Sequence, residues 1–462
     1  MTGKRMRPTV NSKTIDRRQS SAPQSHPLFG TTRRDNALDI AVTATLLLLY
    51  LLLLVPAFRL GGSADFLALW NAGIAMATGH LSDVYPSTIP PFDMLPPEAW
   101  EQAPYMFGAQ SKIYPFLYPP LWAWVMGQMT LLGNFAAVDR IAGMVNALLV
   151  PAMVLLAHRI AAPRMKRWLF LLIGMAFVLL PPVGIVALQQ NQSQILVSFL
   201  TVLAIERALK GNQVTAGAAL ALAAAIKVYP VLLAVLFIAS GRHRAAISFA
   251  VVGGALAAVS VGVAGWPLHA TFLNLLSSIS HSVLLTALSF NVDASVTQLL
   301  LPERLTIILG SEGSTAPEDV SGWYVMTKPW LMALAGQMAQ IGALAVFGWM
   351  LHRRPGLSAE AAIWPLAMAV LTLLGPVAWG YHYMAPLAFA PMAFERFGRR
   401  WSALLMLVGA ISILGLRPFA RDLVWLLNGP QIVGTFGIIL IAAGFALARP
   451  IWGRDPAPRP TS

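Results

Sequence analysis

The stretch NALDIAVTATLLLLYLLLLVPAF, residues 36–58, is an apolar run long enough to cross a membrane. A bilayer core of about 30 Å needs roughly 20 helical residues. Over the full 462 residues, 57% are hydrophobic and only 11% are charged, and similar apolar blocks recur along the chain. The sequence therefore predicts an all-α, polytopic integral membrane protein.

The charged residues indicate the orientation of the chain. The formal net charge of +13 comes from short Lys and Arg clusters between apolar blocks, as expected for cytoplasmic loops. Five clusters mark inner loops: Arg164 to Arg167, Arg207 with Lys210, Arg242 with Arg244, His352 to Arg354, and Arg396 to Arg400. Counting apolar blocks between these marks predicts about twelve transmembrane helices.

Composition also excludes several classes of function. Membrane orientation explains the positive charge, so nucleic acid is not expected as a partner. The chain has no cysteine, which excludes a disulfide framework, a thiolate nucleophile and a thiolate metal site. Residues 1–35 carry eight Lys or Arg and two acids and are expected to form a disordered basic cytoplasmic tail. Residues 451–462 are expected to be a Pro-rich cytoplasmic tail, which leaves residues 36–450 as the membrane domain.

Three outer regions are longer than turns, which is typical of segments that carry function. They are residues 61–117, 266–328 and 417–430. Within the first, DFLALWNAGIAMATGH, residues 65–80, predicts an apolar helix lying along the membrane surface and ended by Gly79. Residues 118–133 and 137–158 are both apolar, although their flanks allow only an odd number of crossings. One of these two segments is therefore expected to be short or re-entrant.

Asp65 lies at the start of the predicted surface helix, directly after the first membrane span. One interpretation is capping, because a carboxylate there accepts from free N–H groups and suits the helix dipole. The other interpretation is a general base, because a partly dehydrated carboxylate at the membrane boundary can take a proton from a hydroxyl group. Both interpretations are open from the residues alone.

Two polar residues interrupt apolar stretches in a similar way. Lys227, in AAAIKVYPVLL, lies between inner turns near Gly211 and Gly241, so each flanking helix has about 13 residues and cannot span alone. His382, in AWGYHYMAP, is followed by about a dozen residues before Arg396. Short helices with polar tips imply an outward-open cavity, where an unpaired Lys costs about 2.5–3.5 kcal/mol. An anionic group is expected to meet Lys227; the alternatives are snorkelling, a structural acid, or for His382 a structural role.

Two further segments have both a structural and a functional interpretation. QQNQSQILV, residues 189–197, places several amides at the outer end of a span, where capping is also an ordinary role. YPFLYPPLWAW, residues 114–124, starts a helix with prolines and aromatic residues. Its Tyr118, Trp122 and Trp124 could stack on sugar rings or form an aromatic belt.

The order of these motifs along the chain resembles glycosyltransferase family 87, a membrane family of the GT-C type. The resemblance covers roughly residues 36–450. The motifs are an acid before an aromatic helix (Asp65), Gly79 to Tyr85, F-x-Y-P-P (Phe116 to Pro120), an amide pair (Gln192, Gln194), A-G-x-x-L-x-x-A-x-x-x-K-x-x-P (Ala216 to Pro230), N-x-x-x-S (Asn291, Ser295) and W-x-x-H-Y (Trp379, His382, Tyr383). The chain departs from the family pattern at NQSQ, where a Gly-Gln pair is usual.

The resemblance implies a GT-C fold and a reaction. The family includes mannosyltransferases that use polyprenyl-phosphate-mannose to extend phosphatidylinositol mannosides, which implies a lipid-linked donor, a lipid or glycan acceptor and an active site on the periplasmic face of the inner membrane. Asp65 would be the general base of an inverting transfer, and Lys227 with His382 would bind the donor phosphate. The residues expected to bind substrate are Asp83, Tyr85, Tyr118, Gln192, Gln194, Asn291 and Tyr383. Neither a metal nor another cofactor is expected, because fixed cations can serve a monophosphate leaving group.

A transporter or flippase of a lipid-linked sugar or another anionic substrate is the alternative from a different class. Broken helices with polar residues near the membrane centre are also typical of secondary transporters. Transport predicts inverted repeats, and the short segments at Lys227 and His382 have the same orientation and little sequence likeness. The sequence therefore favours glycosyl transfer, and mannose follows from the resemblance alone.

Overall fold

The computed structural model describes residues 33–58, 63–100, 113–161, 165–309, 323–354, 356, 361–395, 400–414 and 429–448. Most of the expected N-terminal tail, all of the C-terminal tail and most of the outer loop at 417–430 lie outside the described residues. The first helix begins at Arg33, slightly before the expected end of that tail.

Helices make up most of the described chain. They are α1 (Arg33–Leu49), α2 (Val55–Phe58), α3 (Ala64–Thr78), α4 (Pro120–Thr130), α5 (Phe135–Ala161), α6 (Arg167–Val178), α7 (Val186–Gln189), α8 (Gln194–Leu209), α9 (Gln213–Ile226), α10 (Val231–Ala239), α11 (His243–Ser280), α12 (Val292–Leu300), α13 (Trp330–Arg353), α14 (Ile363–Leu373), α15 (Met384–Leu387), α16 (Met392–Glu395), α17 (Arg400–Ile413) and α18 (Pro430–Leu447). Short π-helical turns at Tyr50–Leu54 and Pro181–Ile185 lead into α2 and α7.

Fewer helices are long enough to span a membrane than the sequence predicted. By length and composition, the described residues contain five such helices, or six if the bent pair at 167–189 forms one span. The five are Asp35–Ala57, α5, α11, α13 and α18. Twelve complete crossings are therefore not confirmed, because several apolar blocks fold into helices of only 9–16 residues.

The short helices occur where they were expected. Lys227 ends α9, a helix of 14 residues, and α10 on its other side has only nine. At about 1.5 Å per residue these helices reach about 21 Å and 14 Å, less than a bilayer core. In the region that the sequence left ambiguous, α4 has 11 residues and α5 has 27, which confirms that one of the two segments is short.

A small antiparallel sheet in the second outer region corrects the all-α expectation. Its strands are β1 (Ser282–Leu285), β2 (Thr306–Leu309) and β3 (Trp323–Thr327), in the order β1-β3-β2. Ser282 pairs with Thr327, and Thr306 pairs with Val325. Each strand has only four or five residues, which is too short for a reliable alternating pattern in the sequence.

Helix α3 has nearly the predicted bounds and is largely buried. It ends at Gly79, which has the left-handed conformation (φ 80°) that favours glycine. Ten of its 15 residues are buried, so most of its surface packs against other parts of the protein. At Gly73 an added Cβ would lie 2.7 Å from the backbone of Met126, so glycine lets α3 approach α4 closely. This contact places the N-terminus of α3 beside the segment that carries Tyr118.

Candidate active site

A cavity of about 220 Å³ contains most of the polar residues that the sequence singled out. Its wall is formed by the start of α3, the segment before α4, the turn before α8, the tip between α9 and α10, and the segment at 377–382. Asp65, Tyr118, Gln192, Lys227 and His382 all line it. Residues separated by more than 300 positions in the chain therefore meet at one site.

The half-buried carboxylate of Asp65 accepts a hydrogen bond from Nε2 of Gln192. The backbone N–H of Asp65 donates to Oε1 of Gln190 at 3.4 Å. A side chain from another segment thus meets a free N–H at the start of α3, while the N-cap residue Ser63 makes no side-chain capping bond. This arrangement favours a role for the carboxylate in the cavity over the capping interpretation.

Burial raises the pKa of Asp65 to about 6, while the Gln192 hydrogen bond and the charge of Lys227 both act to lower it. A carboxylate with this pKa is mostly ionised at neutral pH and is a better proton acceptor than an ordinary aspartate. The cavity therefore holds a carboxylate that can accept a proton at neutral pH.

Tyrosine side chains surround the Asp65–Gln192 pair. The hydroxyl of Tyr118 donates to Oε1 of Gln192 at 3.1 Å, which leaves the amide nitrogen to face Asp65. The hydroxyl of Tyr85 donates to the backbone oxygen of Tyr118 at 2.8 Å, and its ring packs on Phe116. Tyr85 thus supports Tyr118 from behind rather than lining the cavity.

The ammonium group of Lys227 lies between two aromatic rings. Its Nζ is 5.4 Å from the ring centroid of Tyr118 and 5.1 Å from that of Tyr381, distances at which cation–π attraction is effective. No ion pair within the described residues includes Lys227. The charge of Asp65 in the same cavity acts on Lys227 without a direct ion pair, so an anion in the cavity can also approach the ammonium group.

His382 is fixed by its own 3₁₀ turn, Gly380–Tyr383. Its Nδ1 accepts the backbone N–H of Trp379 at 2.9 Å, so in the neutral ring the proton lies on Nε2. Gly380 permits this turn, because an added Cβ would lie 2.1 Å from the backbone oxygen of Pro182. His382 can therefore offer an N–H donor to the cavity.

A second cavity of about 190 Å³ adjoins the first, and its lining is mostly apolar. The two cavities share Tyr229, Ile279, Val377 and His382. Further lining comes from leucines of α10 and α14. A polar site thus continues into an apolar one, with His382 at the boundary.

The remaining predicted site residues lie outside the polar cavity. Asp83 is in a short 3₁₀ turn, where it accepts from the Ser82 hydroxyl. Gln194 is fully buried and donates to the hydroxyl of Tyr229 at 2.7 Å. Asn291 caps α12 by accepting from the N–H of Ala294.

Tyr383 is also buried away from the polar cavity, and its hydroxyl donates to the backbone oxygen of Phe290 at 2.5 Å. The neighbouring Tyr381 lines the cavity instead. Tyr381 was not predicted as a site residue, nor were the cavity residues Tyr114 and Tyr229. All three lie within quoted motifs, and Tyr381 stands directly beside the predicted His382.

Potential metal ligands are not clustered. No group of three or more His, Asp or Glu in the parts of the chain that the structure describes could hold a metal ion.

The described fold has several apolar helices that fit a polytopic membrane protein, and a cavity with polar lining residues that joins an apolar one. The family model for glycosyltransferase family 87 matches residues 116–376, which is more than half of the chain. The chain therefore belongs to glycosyltransferase family 87, which makes it a glycosyltransferase that acts on a sugar donor and an acceptor. No curated protein matches it. The matched range includes Tyr118, Gln192 and Lys227, while Asp65 and His382 lie outside it.

Proposed function

We propose that this glycosyltransferase transfers a hexose from a polyprenyl-phosphate donor to a hydroxyl group of a lipid or glycan acceptor. The sugar is mannose by the resemblance to the mannosyltransferases of the family. Transfer takes place at the periplasmic face of the inner membrane, as the basic inner loops predict. The anomeric configuration is inverted, with Asp65 as the base.

The observation that carries the proposal is the meeting of Asp65 and Lys227 in one cavity. A carboxylate that is mostly ionised at neutral pH can accept a proton, and a cation held by aromatic rings can bind a phosphate. The adjoining apolar cavity suits the prenyl chain next to that phosphate. The site thus has a base for the acceptor hydroxyl, a cation for the donor phosphate and an apolar cavity for the prenyl chain.

The reaction proceeds in one displacement. Asp65 takes the proton of the acceptor hydroxyl as its oxygen forms a bond to the anomeric carbon. The bond from that carbon to the phosphate oxygen breaks, and polyprenyl phosphate leaves with the electron pair. Lys227 offsets the negative charge that develops on the phosphate, and the Nε2–H of His382 donates a hydrogen bond to it. The proton on Asp65 then passes to water.

The test is to incubate membranes with a panel of radiolabelled polyprenyl-phosphate sugars and candidate acceptors. We expect transfer from the mannose donor, and we expect Asp65→Asn to reduce it by about 10²–10⁴-fold, because the amide cannot accept the proton. Asp83→Asn is the matched control, since it alters a carboxylate of the same outer region outside the cavity. Near-normal transfer by Asp65→Asn would overturn the proposed base.

A further inference from the structure

The turn at Gln190–Gln192, between α7 and α8, has the geometry of a Schellman motif. The N–H of Gln192 donates to the oxygen of Ala187 at 2.9 Å, and the N–H of Asn191 donates to the oxygen of Leu188 at 3.2 Å. In this motif the first residue after the helix end has a left-handed conformation, and here that residue is Asn191, with φ 50°. Glycine adopts this conformation without strain. Asparagine adopts it less readily, but its short polar side chain can form hydrogen bonds there.

The side chain of Asn191 is tied to α5. Its Nδ2 donates to both the backbone oxygen and the Oδ1 of Asp139, each at 2.9 Å. Its Oδ1 accepts from Nδ2 of Asn146, two helical turns further along α5. Asn191 and Asn146 are both buried, so these bonds are shielded from water. The long helix α5 thus holds the turn by its one left-handed residue.

The residues on either side of Asn191 both bind Asp65. Gln190 accepts from the backbone N–H of Asp65, and Gln192 donates to its carboxylate. A small rotation of the turn would move both amides, because Asn191 lies directly between them. The position of the two amides therefore depends on the bonds that Asn191 makes to α5.

We propose that Asn191 is a positioning residue, which with Asn146 and Asp139 holds Gln192 so that it orients and stabilises the ionised Asp65 carboxylate. The inference rests on the proposed function in one respect, namely that Asp65 is the base. Loss of the tether should weaken the hydrogen bond to the charged form and misplace the carboxylate. The first effect raises the pKa of Asp65, and the second lowers the rate of proton transfer.

Other titratable groups also face the cavity around Asp65, and none of them is substituted in the test. They come from the α9–α10 tip, the segment before α4 and the 3₁₀ turn: Lys227, Tyr114, Tyr118, Tyr381 and His382. The side-chain hydrogen bonds of Asn191 go to Asn146 and Asp139 rather than to these groups, so a shift caused by Asn191 is expected to act through the turn.

The test uses Asn191→Gly, which keeps the left-handed conformation without strain, and Asn146→Ala, which removes one tether from α5. Asn212→Gly is the matched control, since Asn212 is exposed in the turn at the other end of α8. Purified protein is treated at a series of pH values with a hydrophobic carbodiimide, which reacts with the protonated carboxyl group of Asp65. Mass spectrometry of the peptide that contains Asp65 gives the pH at which half of it is modified. Transfer kinetics against pH give kcat and KM for the same variants.

We expect both variants to raise the pH of half-modification by about 1 unit, because a hydrogen bond to the charged carboxylate is lost. We expect kcat to fall by about 10–100-fold with little change in donor KM, while Asn212→Gly matches the wild type. Wild-type titration and kcat in both variants would overturn the inference, and so would loss of folding in both. A shift in the modification pH without transfer from any donor in the panel would uphold the positioning role and reject the proposed function.

Discussion

Asp65 shows how a side chain acquires chemistry from contacts that are distant in sequence. An aspartate at a helix start is an ordinary capping residue, and its position alone favours that role. In the fold, Gln190 binds the N–H at this helix start and Gln192 binds the carboxylate. The helix thus has no need of the Asp65 side chain as a cap, and burial gives that side chain the pKa of a base.

The pH dependence of transfer should follow Asp65. Because its pKa is raised to about 6, kcat/KM should fall about tenfold per pH unit below pH 6. Initial rates at low donor concentration, measured from pH 4.5 to pH 8, give the midpoint. A midpoint near pH 4, the ordinary value for an aspartate, would contradict the buried environment of the carboxylate.

Protonation of Asp65 should not cause this loss by unfolding. A carboxylate pKa that is higher in the folded than in the unfolded protein means that the folded state binds the proton more tightly. The contribution of Asp65 to stability therefore increases as the pH falls from about 6 towards 4. Thermal unfolding measured alongside the rates separates the two causes, because an activity loss with an unchanged melting temperature reports the base.

The sequence predicted the carboxylate, ammonium and imidazole groups that line the cavity better than the residues that support them. Asp65, Lys227 and His382 were found because a polar residue in an apolar block needs an explanation. Tyr381 and Tyr383 could not be told apart, because only the 3₁₀ turn decides which hydroxyl faces the cavity and which binds Phe290. The departure at NQSQ also has a structural explanation, since Asn191 adopts the left-handed conformation that favours glycine.

The α9–α10 pair places Lys227 at the tip between two helices that are too short to cross a bilayer core. The two helices start and end at turns near Gly211 and Gly241, and they are about 21 Å and 14 Å long. The neighbouring α11 runs about 33 Å from His243 to its kink at Gly265, which is enough to cross a bilayer core. The α9–α10 pair is therefore made of helices shorter than this neighbour, and Lys227 stands at its tip.

Removing the cation should affect the donor rather than the acceptor. We expect Lys227→Ala to weaken binding of the polyprenyl-phosphate sugar by about 10–100-fold, because a charged contact to phosphate is lost. Lys227→Arg should be partly active, since a larger, planar guanidinium group replaces a compact ammonium group between the rings of Tyr118 and Tyr381. Donor binding to purified protein is the measurement. Asp65→Asn should bind the donor normally.

Lys210→Ala is the matched control for the lysine variants, because Lys210 is exposed in the turn between α8 and α9, at the end of α9 opposite to Lys227. Wild-type donor affinity in Lys227→Ala, together with a lower melting temperature, would show that Lys227 has a structural role. That result would contradict the proposed phosphate site at Lys227, but it would not affect the proposed role of Asp65 as the base.

Secondary structure was predictable where one periodic pattern dominated the sequence. It was not predictable where tertiary packing determined the burial or the type of an element. The bounds of α3 followed from its apolar run and Gly79. Its burial did not, because an apolar helix beside a membrane and one in a protein core have the same composition. The strands of the outer sheet are equally ambiguous, since SVLL and TIIL also fit a helix.

The number of complete crossings shows the limit of counting apolar blocks. Each block counts as one span in the sequence, yet α8, α9, α10 and α14 have 9–16 residues and end near the two cavities. Ending helices inside the protein creates the recess that a site for a lipid-linked substrate needs. The same feature that reduced the number of full spans therefore produces the candidate active site.

The orientation of the chain can be tested with single cysteines, because the protein has none of its own. Ser87 is exposed in the first outer region, and Asn212 is exposed in the turn before α9, at the end of that helix opposite to Lys227. In intact cells, a membrane-impermeant maleimide should label Ser87→Cys and should label Asn212→Cys only after the membrane is opened, because basic turns face the cytoplasm. Retained transfer activity is the control that each variant is folded. Labelling of both cysteines in intact cells would contradict the topology, and labelling of Asn212→Cys alone would place the cavity on the cytoplasmic face.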